Sequence, residues 1–358
     1  MIKYIYHIFP AHVYHLSPQL IRSIVTNTPG QHFFIVIGKD NSTENWKLYN
    51  NLFEDLSVKC FKMYDNFETF MLGNFLLKDS FIILHSDSFR WMFFFILRFY
   101  RNIHWVCWGS GTVINRSIKS YISAPIKFFL YRRLKSIITL SNIDTNNLRL
   151  NFKVKNIEQI SYFESVNTLF NFDKKLFSVE NKLIADVFIG NNSSAINSYL
   201  PLVVLLKKFK NQIKITAMLN YDLVKNETYN NLISFGKLNY HTNFSTDESF
   251  YDLKDYPRYI DRCDIYICAI EEQTGLGAIY SALKLGKKIF LAGNNFDYIK
   301  SLGCKINHVD EIPKMKVEAF LEPLSLEIQY HNFDVIMNIL NDDKLIAKWQ
   351  FFYNKYRH

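Results

Sequence analysis

Val187-Phe188-Ile189-Gly190-Asn191-Asn192-Ser193-Ser194, followed by Asn197, is the stretch on which the reading of this chain turns. An apolar run ends in glycine, passes through small amide and hydroxyl side chains, and enters a segment of helical pattern. At such a junction free backbone N–H groups and the helix dipole favour anionic oxygens, so the turn suits a diphosphate. A plain helix N-cap on Ser193 or Ser194 would use the same residue types. The spacing is not G-x-x-x-x-G-K-[ST], which argues against an NTPase loop. A second junction of the same kind, Glu271-Glu272-Gln273-Thr274-Gly275-Leu276-Gly277-Ala278, follows another apolar run. Gly275 and Gly277 permit close backbone approach there, and Glu272 or Gln273 suits a sugar or ribose hydroxyl. Two anion-ready turns in one half of a chain carry more weight than one.

Working outward from these turns, the runs 185–189, 213–218, 265–269 and 288–291 read as strands, and 198–209, 256–262 and 277–285 as helices. The first half repeats the rhythm, with strands expected at 3–8, 33–38, 81–85, 103–107 and 136–140 and helices at 17–26 and 91–100. Alternation of this kind predicts an α/β class with parallel sheets wrapped by helices. The stretch 156–181 lacks a regular pattern and reads as the linker. Two Rossmann-like domains are therefore expected, 1–165 and 182–340, facing across a cleft. An amphipathic aromatic helix within 341–358 is expected to pack back on the first domain. Sheets of this type bind ligands beyond the carboxyl ends of their strands. A length of 358 residues suits two such cores better than one.

Composition narrows the class. Hydrophobic residues make up 49% and charged residues 21%, which excludes a disordered chain. The net charge of +9 is unevenly spread. Between Phe81 and Lys135 stand Arg90, Arg98, Arg101, Arg116, Lys119, Lys127, Arg132, Arg133 and Lys135 against the single acid Asp87. The apolar runs among them, Trp91 to Leu97 and Ile126 to Tyr131, fall far short of the roughly 20 residues that span a bilayer. Basic side chains beside exposed apolar ones suit an anionic membrane surface, and the alternative is a buried helix whose arginines snorkel to solvent. No nucleic-acid module is recognisable, so no nucleic-acid partner is expected.

Five cysteines without a C-x-x-C pair read as reduced thiols, which points to the cytoplasm, and the N-terminus MIKYIYHIFP has no signal-peptide pattern. No D-x-D pair and no zinc-like spacing occurs, so a metal-free site is expected, its leaving-group charge held by backbone dipoles and side-chain donors. His7, His12 and His15 follow or close the first strand, and His85 follows a later one. Neutral imidazole suits a general base near pH 7, which makes His12, His15 and His85 the candidates, with acceptor binding or a structural hydrogen bond as the other readings of His85.

An ordered set of short motifs resembles glycosyltransferase family 56, the 4-acetamido-4,6-dideoxygalactosyltransferases of enterobacterial common antigen synthesis. Gly38-Lys39-Asp40 resembles the family's G-K-D, and His104-Trp105-Val106-Cys107-Trp108-Gly109 its W-x-x-W-G run. Gly190-Asn191 with Asn197 resembles its G-N-S-x-x-x-x-N turn, and Met218 to Tyr221 falls at its M-G-Y. Arg262-Cys263-Asp264 with Gln273-x-Gly275-x-Gly277 is similar to its C-D and Q-x-G-x-G segment. Leu285-x-Lys287 and Leu291 to Asn295 are similar to its G-x-P-x-x-L and N-P-F stretch. The resemblance implies a GT-B fold and transfer of a sugar from a dTDP- or UDP-linked donor, a co-substrate with no separate cofactor. The acceptor it implies is a glycan or polyprenyl-diphosphate-linked sugar at the inner membrane face.

Carried over onto matching positions and joined to the turn residues above, the expected donor side is Gly190, Asn191, Asn192, Ser193, Ser194, Asn197, Tyr221, Glu272, Gln273, Thr274, Gly275 and Asn295. The acceptor side is Trp108 and Ser110, with His15 and His85 facing it. The family's W-G-A-D is here Trp108-Gly109-Ser110-Gly111, its histidine after the donor asparagine is Tyr199, and its N-P-F proline is Phe296. These departures point to a relative in O-antigen, lipopolysaccharide or another surface-polysaccharide pathway. The rival readings are a nucleotide-sugar epimerase and a nucleotide-binding subunit without turnover.

Overall fold

The computed structural model describes residues 4–11, 17–28, 30–38, 43–73, 75–85, 89–98, 100–108, 112, 118–162, 170–190, 196–219, 225–249, 251, 255–271 and 273–356. The chain divides into two compact units. One is Met1–Ser165 together with Leu340–His358, and the other is Val166–Ile339.

In the first unit seven strands form one parallel sheet. They are β1 (Ile5–Pro10), β2 (His32–Ile37), β3 (Phe61–Tyr64), β4 (Phe81–Leu84), β5 (Ile103–Cys107), β6 (Ser136–Thr139) and β7 (Ile157–Gln159), in the order β3-β2-β1-β4-β5-β6-β7. The central strands are apolar at nearly every position because both faces are covered. Ile8, Ile35, Ile82, Trp105 and Ile137 point to one side, against the helices Phe67–Leu72, Phe89–Leu97, Ile118–Arg133 and Asn142–Phe152. Alternate residues Ile5, Phe9, Phe34, Val36, Phe81, Ile83 and Val106 point to the other, against Pro18–Asn27 and Thr43–Asp55. The sequence reading found the central strands within a residue or two. It assigned β7 to the linker and missed the short β3 and helix 67–72, and also helices 43–55, 118–133 and 142–152, whose apolar stripes are broken by polar or basic residues and, in Ile118–Arg133, by Pro125.

The second unit repeats the design with β8 (Ala185–Ile189), β9 (Ile213–Met218), β10 (Phe244–Asp247), β11 (Ile265–Cys268), β12 (Lys288–Leu291) and β13 (Asn307–His308), in the parallel order β10-β9-β8-β11-β12-β13. Lys288 is buried at the start of β12. Its ammonium donates to the carbonyls of Ala319, Phe320 and Glu322 at 2.7, 3.2 and 2.9 Å, which satisfies the carboxyl end of helix Val317–Leu321.

The C-terminal helix Asp342–Tyr356 belongs to the first unit, although about half the chain separates it from that unit's last strand. Leu345, Trp349, Phe352 and Tyr353 recur at helical spacing and are buried on the β1–β4 face. Trp349 Nε1 donates to the Ser161 carbonyl at 3.4 Å, and Lys355 and Tyr356 both reach the Glu158 carboxylate.

Under this helix lies an unusual set of core residues, His7, His85 and His104, all buried. Burial is the main cause holding each imidazole neutral. It pushes His85 and His104 down to about 3, helped at His104 by the Lys135 charge, and it pushes His7 well below the ordinary value. His104 Nδ1 lies 2.7 Å from Ser136 Oγ and its Nε2 2.8 Å from Asn102 Oδ1. The Asn102 oxygen can only accept, so Nε2 carries the proton and the serine hydroxyl donates to Nδ1.

Two predictions follow from this packing. Trp349→Ala should cost the first unit roughly 3–5 kcal/mol in denaturant unfolding, the usual price of emptying an aromatic site, whereas Lys355→Ala should leave the midpoint nearly unchanged. The histidines predict a pH dependence as well. The unfolded chain takes up protons near 6.5 where the folded one does not, so stability is level above that pH and falls below it, down to about 3 for His85 and His104. Each histidine contributes a slope of up to about 1.4 kcal/mol per pH unit in that window. Urea midpoints from pH 7.5 to 5 should show the loss, and a His104→Asn variant should show about a third less of it.

Candidate functional site

Each sheet reverses its strand order once, between β1 and β4 in the first unit and between β8 and β11 in the second. At such a reversal the connections leave in opposite directions and open a crevice at the carboxyl ends of the strands. The turns singled out in the sequence stand at these places.

After β8, Gly190 adopts φ +79° and donates its N–H to the Ile267 carbonyl at 2.8 Å, tying the end of β8 to β11. A side chain is impossible here. An added Cβ would lie 1.8 Å from the Tyr199 hydroxyl, and that ring is held in place by its 2.9 Å bond to the Met218 carbonyl. Tyr199, aligned with the family's histidine, is therefore buried beneath the turn and fastens helix Ile196–Leu205 to the end of β9. Asn197 is exposed on the first turn of that helix. Asn191, Asn192, Ser193, Ser194, Tyr221 and Glu272 lie outside the described residues, as do His12, His15 and Ser110.

The second turn, after β11, is stitched down on two sides. Gly293 adopts φ +52° with its Cα against the Glu271 backbone, and the Asn294 N–H donates to the Glu271 carbonyl at 2.9 Å. Asn295 then clamps Thr274. Its Oδ1 accepts the Thr274 N–H at 3.3 Å and its Nδ2 donates to the Thr274 carbonyl at 2.9 Å. Expected on the donor side, Asn295 is instead fully buried with both ends of its amide engaged, so it shapes the loop from below and presents nothing at the surface. The neighbouring Cys268 thiol is pushed up to about 12 by burial and is inert at neutral pH.

This stitching sets up the helix Leu276–Lys284. Gly275 takes the N-cap position at φ +69°, and no side chain caps the helix. Gly277 lies in the first turn, and no described atom comes within 4 Å of where its Cβ would be. Gln273, Thr274 and Gly275 are half-buried at the same edge. The result is a helix N-terminus whose N-cap makes no side-chain hydrogen bond, next to the Gly190 turn, and helix N-termini of this kind favour anionic oxygens.

In the first unit the carboxyl ends of β4 and β5 carry His85 and Trp108. His85 stacks on Phe9 at 4.1 Å, its Nε2 lies 3.1 Å from His7 Nδ1, and its Nδ1 lies 2.7 Å from the Tyr162 hydroxyl. The same hydroxyl accepts the Trp108 indole N–H at 3.0 Å. His85 thus has both ring nitrogens occupied and no exposed surface, a structural hydrogen-bonding arrangement and not that of a base or an acceptor contact. Tyr162 escaped the sequence analysis. It sits three residues past a three-residue strand and belongs to no motif, so only the topology brings it to β4 and β5. A cavity of about 520 Å³ lined by Asn181, Lys182, Lys316 and Glu322 lies near the amino ends of β8 and β12, away from both turns.

No protein-family model and no curated protein matches the chain. Solved structures do match it along its whole length. A glycosyltransferase from Rickettsia africae superposes with a TM-score of 0.67 at 14% identity, over 99% of this chain and 98% of that one. HepE from Anabaena, solved with UDP-glucose, gives 0.68 at 11% identity over 98% and 99%. MnaA from S. aureus, solved with UDP, gives 0.59 at 10% identity over 100% and 98%. At such identities the likeness is one of fold. The chain has the GT-B architecture of two Rossmann-like units.

Proposed function

We propose that this protein is a glycosyltransferase that moves a sugar from a nucleoside-diphosphate donor, dTDP- or UDP-linked, to a glycan or lipid-linked acceptor in bacterial surface-polysaccharide synthesis. The observation that carries the reading is the uncapped N-terminus of helix Leu276–Lys284, built on left-handed Gly275 and open at Gly277, beside the strained Gly190 turn. Backbone N–H groups and the helix dipole there would hold the diphosphate and stabilise its charge as it leaves, the task that a divalent cation performs in other transferases. Gln273, Thr274, Asn197 and the polar residues 191–194 and 272 would complete the donor side. GT-B structures solved with UDP or UDP-glucose are consistent with this choice of ligand. The acceptor would meet the carboxyl ends of β4 and β5 in the first unit, near Trp108 and Ser110. His12 or His15 would take its proton, since His85 is enclosed.

The acceptor's lipid finds support in the surface of the first unit. Phe93 and Leu97 are exposed on helix Phe89–Leu97, and Ile122, Ile126 and Phe129 are exposed one to two turns apart on Ile118–Arg133. Arg98, Arg132 and Arg133 lie over Phe94, Phe128 and Phe129 at 4.7, 4.9 and 4.9 Å. From Phe89 to Lys135 the chain carries no acidic residue. No helix among the described residues is long and apolar enough to cross a membrane. Apolar side chains flanked by arginines suit peripheral binding to anionic lipid.

Two experiments test this. UDP, dTDP, GDP and CMP should be titrated with and without magnesium. One diphosphate should raise the melting temperature without metal, with a gain of about 2.7 kcal/mol at a hundred times Kd. Gly277→Val should weaken that binding at least tenfold while leaving the melt unchanged or higher, since the position is open and glycine is a poor helix former. Unaltered nucleotide affinity in Gly277→Val would remove the donor assignment, and donor turnover without acceptor would favour an epimerase. For the membrane face, the protein should sediment with phosphatidylglycerol vesicles and not with phosphatidylcholine. Arg132→Glu with Arg133→Glu should reduce that binding at least tenfold, and indifference to lipid charge would exclude the electrostatic mode.

A further inference from the structure

Six side chains in the first unit form one continuous hydrogen-bonded chain across the β1–β4 reversal. Trp108 Nε1 meets the Tyr162 hydroxyl at 3.0 Å, and that hydroxyl meets His85 Nδ1 at 2.7 Å. His85 Nε2 meets His7 Nδ1 at 3.1 Å, His7 Nε2 meets His32 Nδ1 at 3.0 Å, and His32 Nε2 meets Thr28 Oγ1 at 3.2 Å. The Thr28 hydroxyl donates to the Ile24 carbonyl, which closes the chain.

The direction of every bond follows from its ends. A carbonyl can only accept, so the Thr28 hydrogen is spent on Ile24 and its oxygen must accept from His32 Nε2–H. In a neutral imidazole the other nitrogen is then bare, so His32 Nδ1 accepts from His7 Nε2–H. The same rule passes along to His85, whose bare Nδ1 accepts the Tyr162 hydroxyl hydrogen. At the far end the indole N–H, which can only donate, points at the Tyr162 oxygen as this direction requires. Burial keeps the middle of the chain uncharged. The rings of His7 and His32 also meet Tyr353 edge-on at 6.1 and 5.3 Å, so the C-terminal helix covers this part of the chain.

We infer that His32, His7, His85 and Tyr162 are positioning residues for Trp108, together holding its indole N–H turned inward at the carboxyl end of β5. Because the Tyr162 hydrogen is committed to His85, its oxygen meets the indole as an acceptor. Trp108 therefore has no N–H left for a substrate and offers only the apolar surface of its ring, which suits stacking on the C–H face of a pyranose. This last step rests on the glycosyl-transfer reading, while the chain itself does not.

The test separates the two. Histidine labelled with ¹⁵N, at pH 7.5, should show His7, His32 and His85 all protonated at Nε2 and bare at Nδ1. Tyr162→Phe should speed exchange of the Trp108 indole hydrogen at least tenfold, and Thr28→Val should change the His32 nitrogen signals without unfolding the protein. In transfer assays Tyr162→Phe should raise the acceptor KM at least tenfold and leave nucleotide affinity in the second unit unchanged. An Nδ1–H form of His7 or His85, or an indole hydrogen indifferent to Tyr162→Phe, would overturn the assignment. If the tautomers are as stated and no nucleotide binds, the chain stands and the transferase reading falls.

Discussion

The burial of Trp349, Phe352 and Tyr353 against the β1–β4 face is the contact on which the first unit depends. Pro18–Asn27 and Thr43–Asp55 cover only part of that face, and the C-terminal helix covers the strands that carry His7 and His104. With that cover in place the imidazoles are desolvated, and desolvation keeps them neutral. Neutrality in turn gives each ring one donor and one acceptor, the condition for a hydrogen-bonded chain of single direction. A packing contact made by the end of the chain thus reaches the orientation of Trp108, the first residue beyond β5.

The second unit meets a different constraint at the equivalent place. There the strand ends are drawn together by backbone, through Gly190 to Ile267 and Asn294 to Glu271, and the close approach leaves no room for side chains at Gly190 or Gly293. Asn295 fastens the loop from beneath. The first unit fills its strand-order reversal with aromatic and imidazole rings, whereas the described residues of the second bring backbone against backbone at Gly190 and Gly293.

Much of this was legible beforehand. Buried parallel strands such as Phe81–Leu84 and Ile265–Cys268 are continuous apolar runs, and the glycines at 190 and 275 mark the turns by the conformations only glycine adopts freely. Other features were not. Helix Ile118–Arg133 holds a proline and a basic surface, so its pattern is blurred, and β7 is too short to show any. The resemblance to the family's N-P-F stretch puts Asn295 on the donor side, but a short polar side chain near a glycine turn serves equally well above the loop or below it. Only its burial decides between the two.

By itself the sequence determined the class of architecture, the places where strands hand over to helices, the two glycine turns and the acid-free basic stretch, all of which are local properties of pattern and composition. The tertiary structure alone decided that residues 342–356 complete the first unit, that Tyr162 bridges His85 and Trp108, and that Tyr199 and Asn295 lie beneath the turns they support. Each of those facts joins residues 19 or more positions apart. Periodicity reports which face of an element is buried, and it carries no information about which distant side chain will be found there.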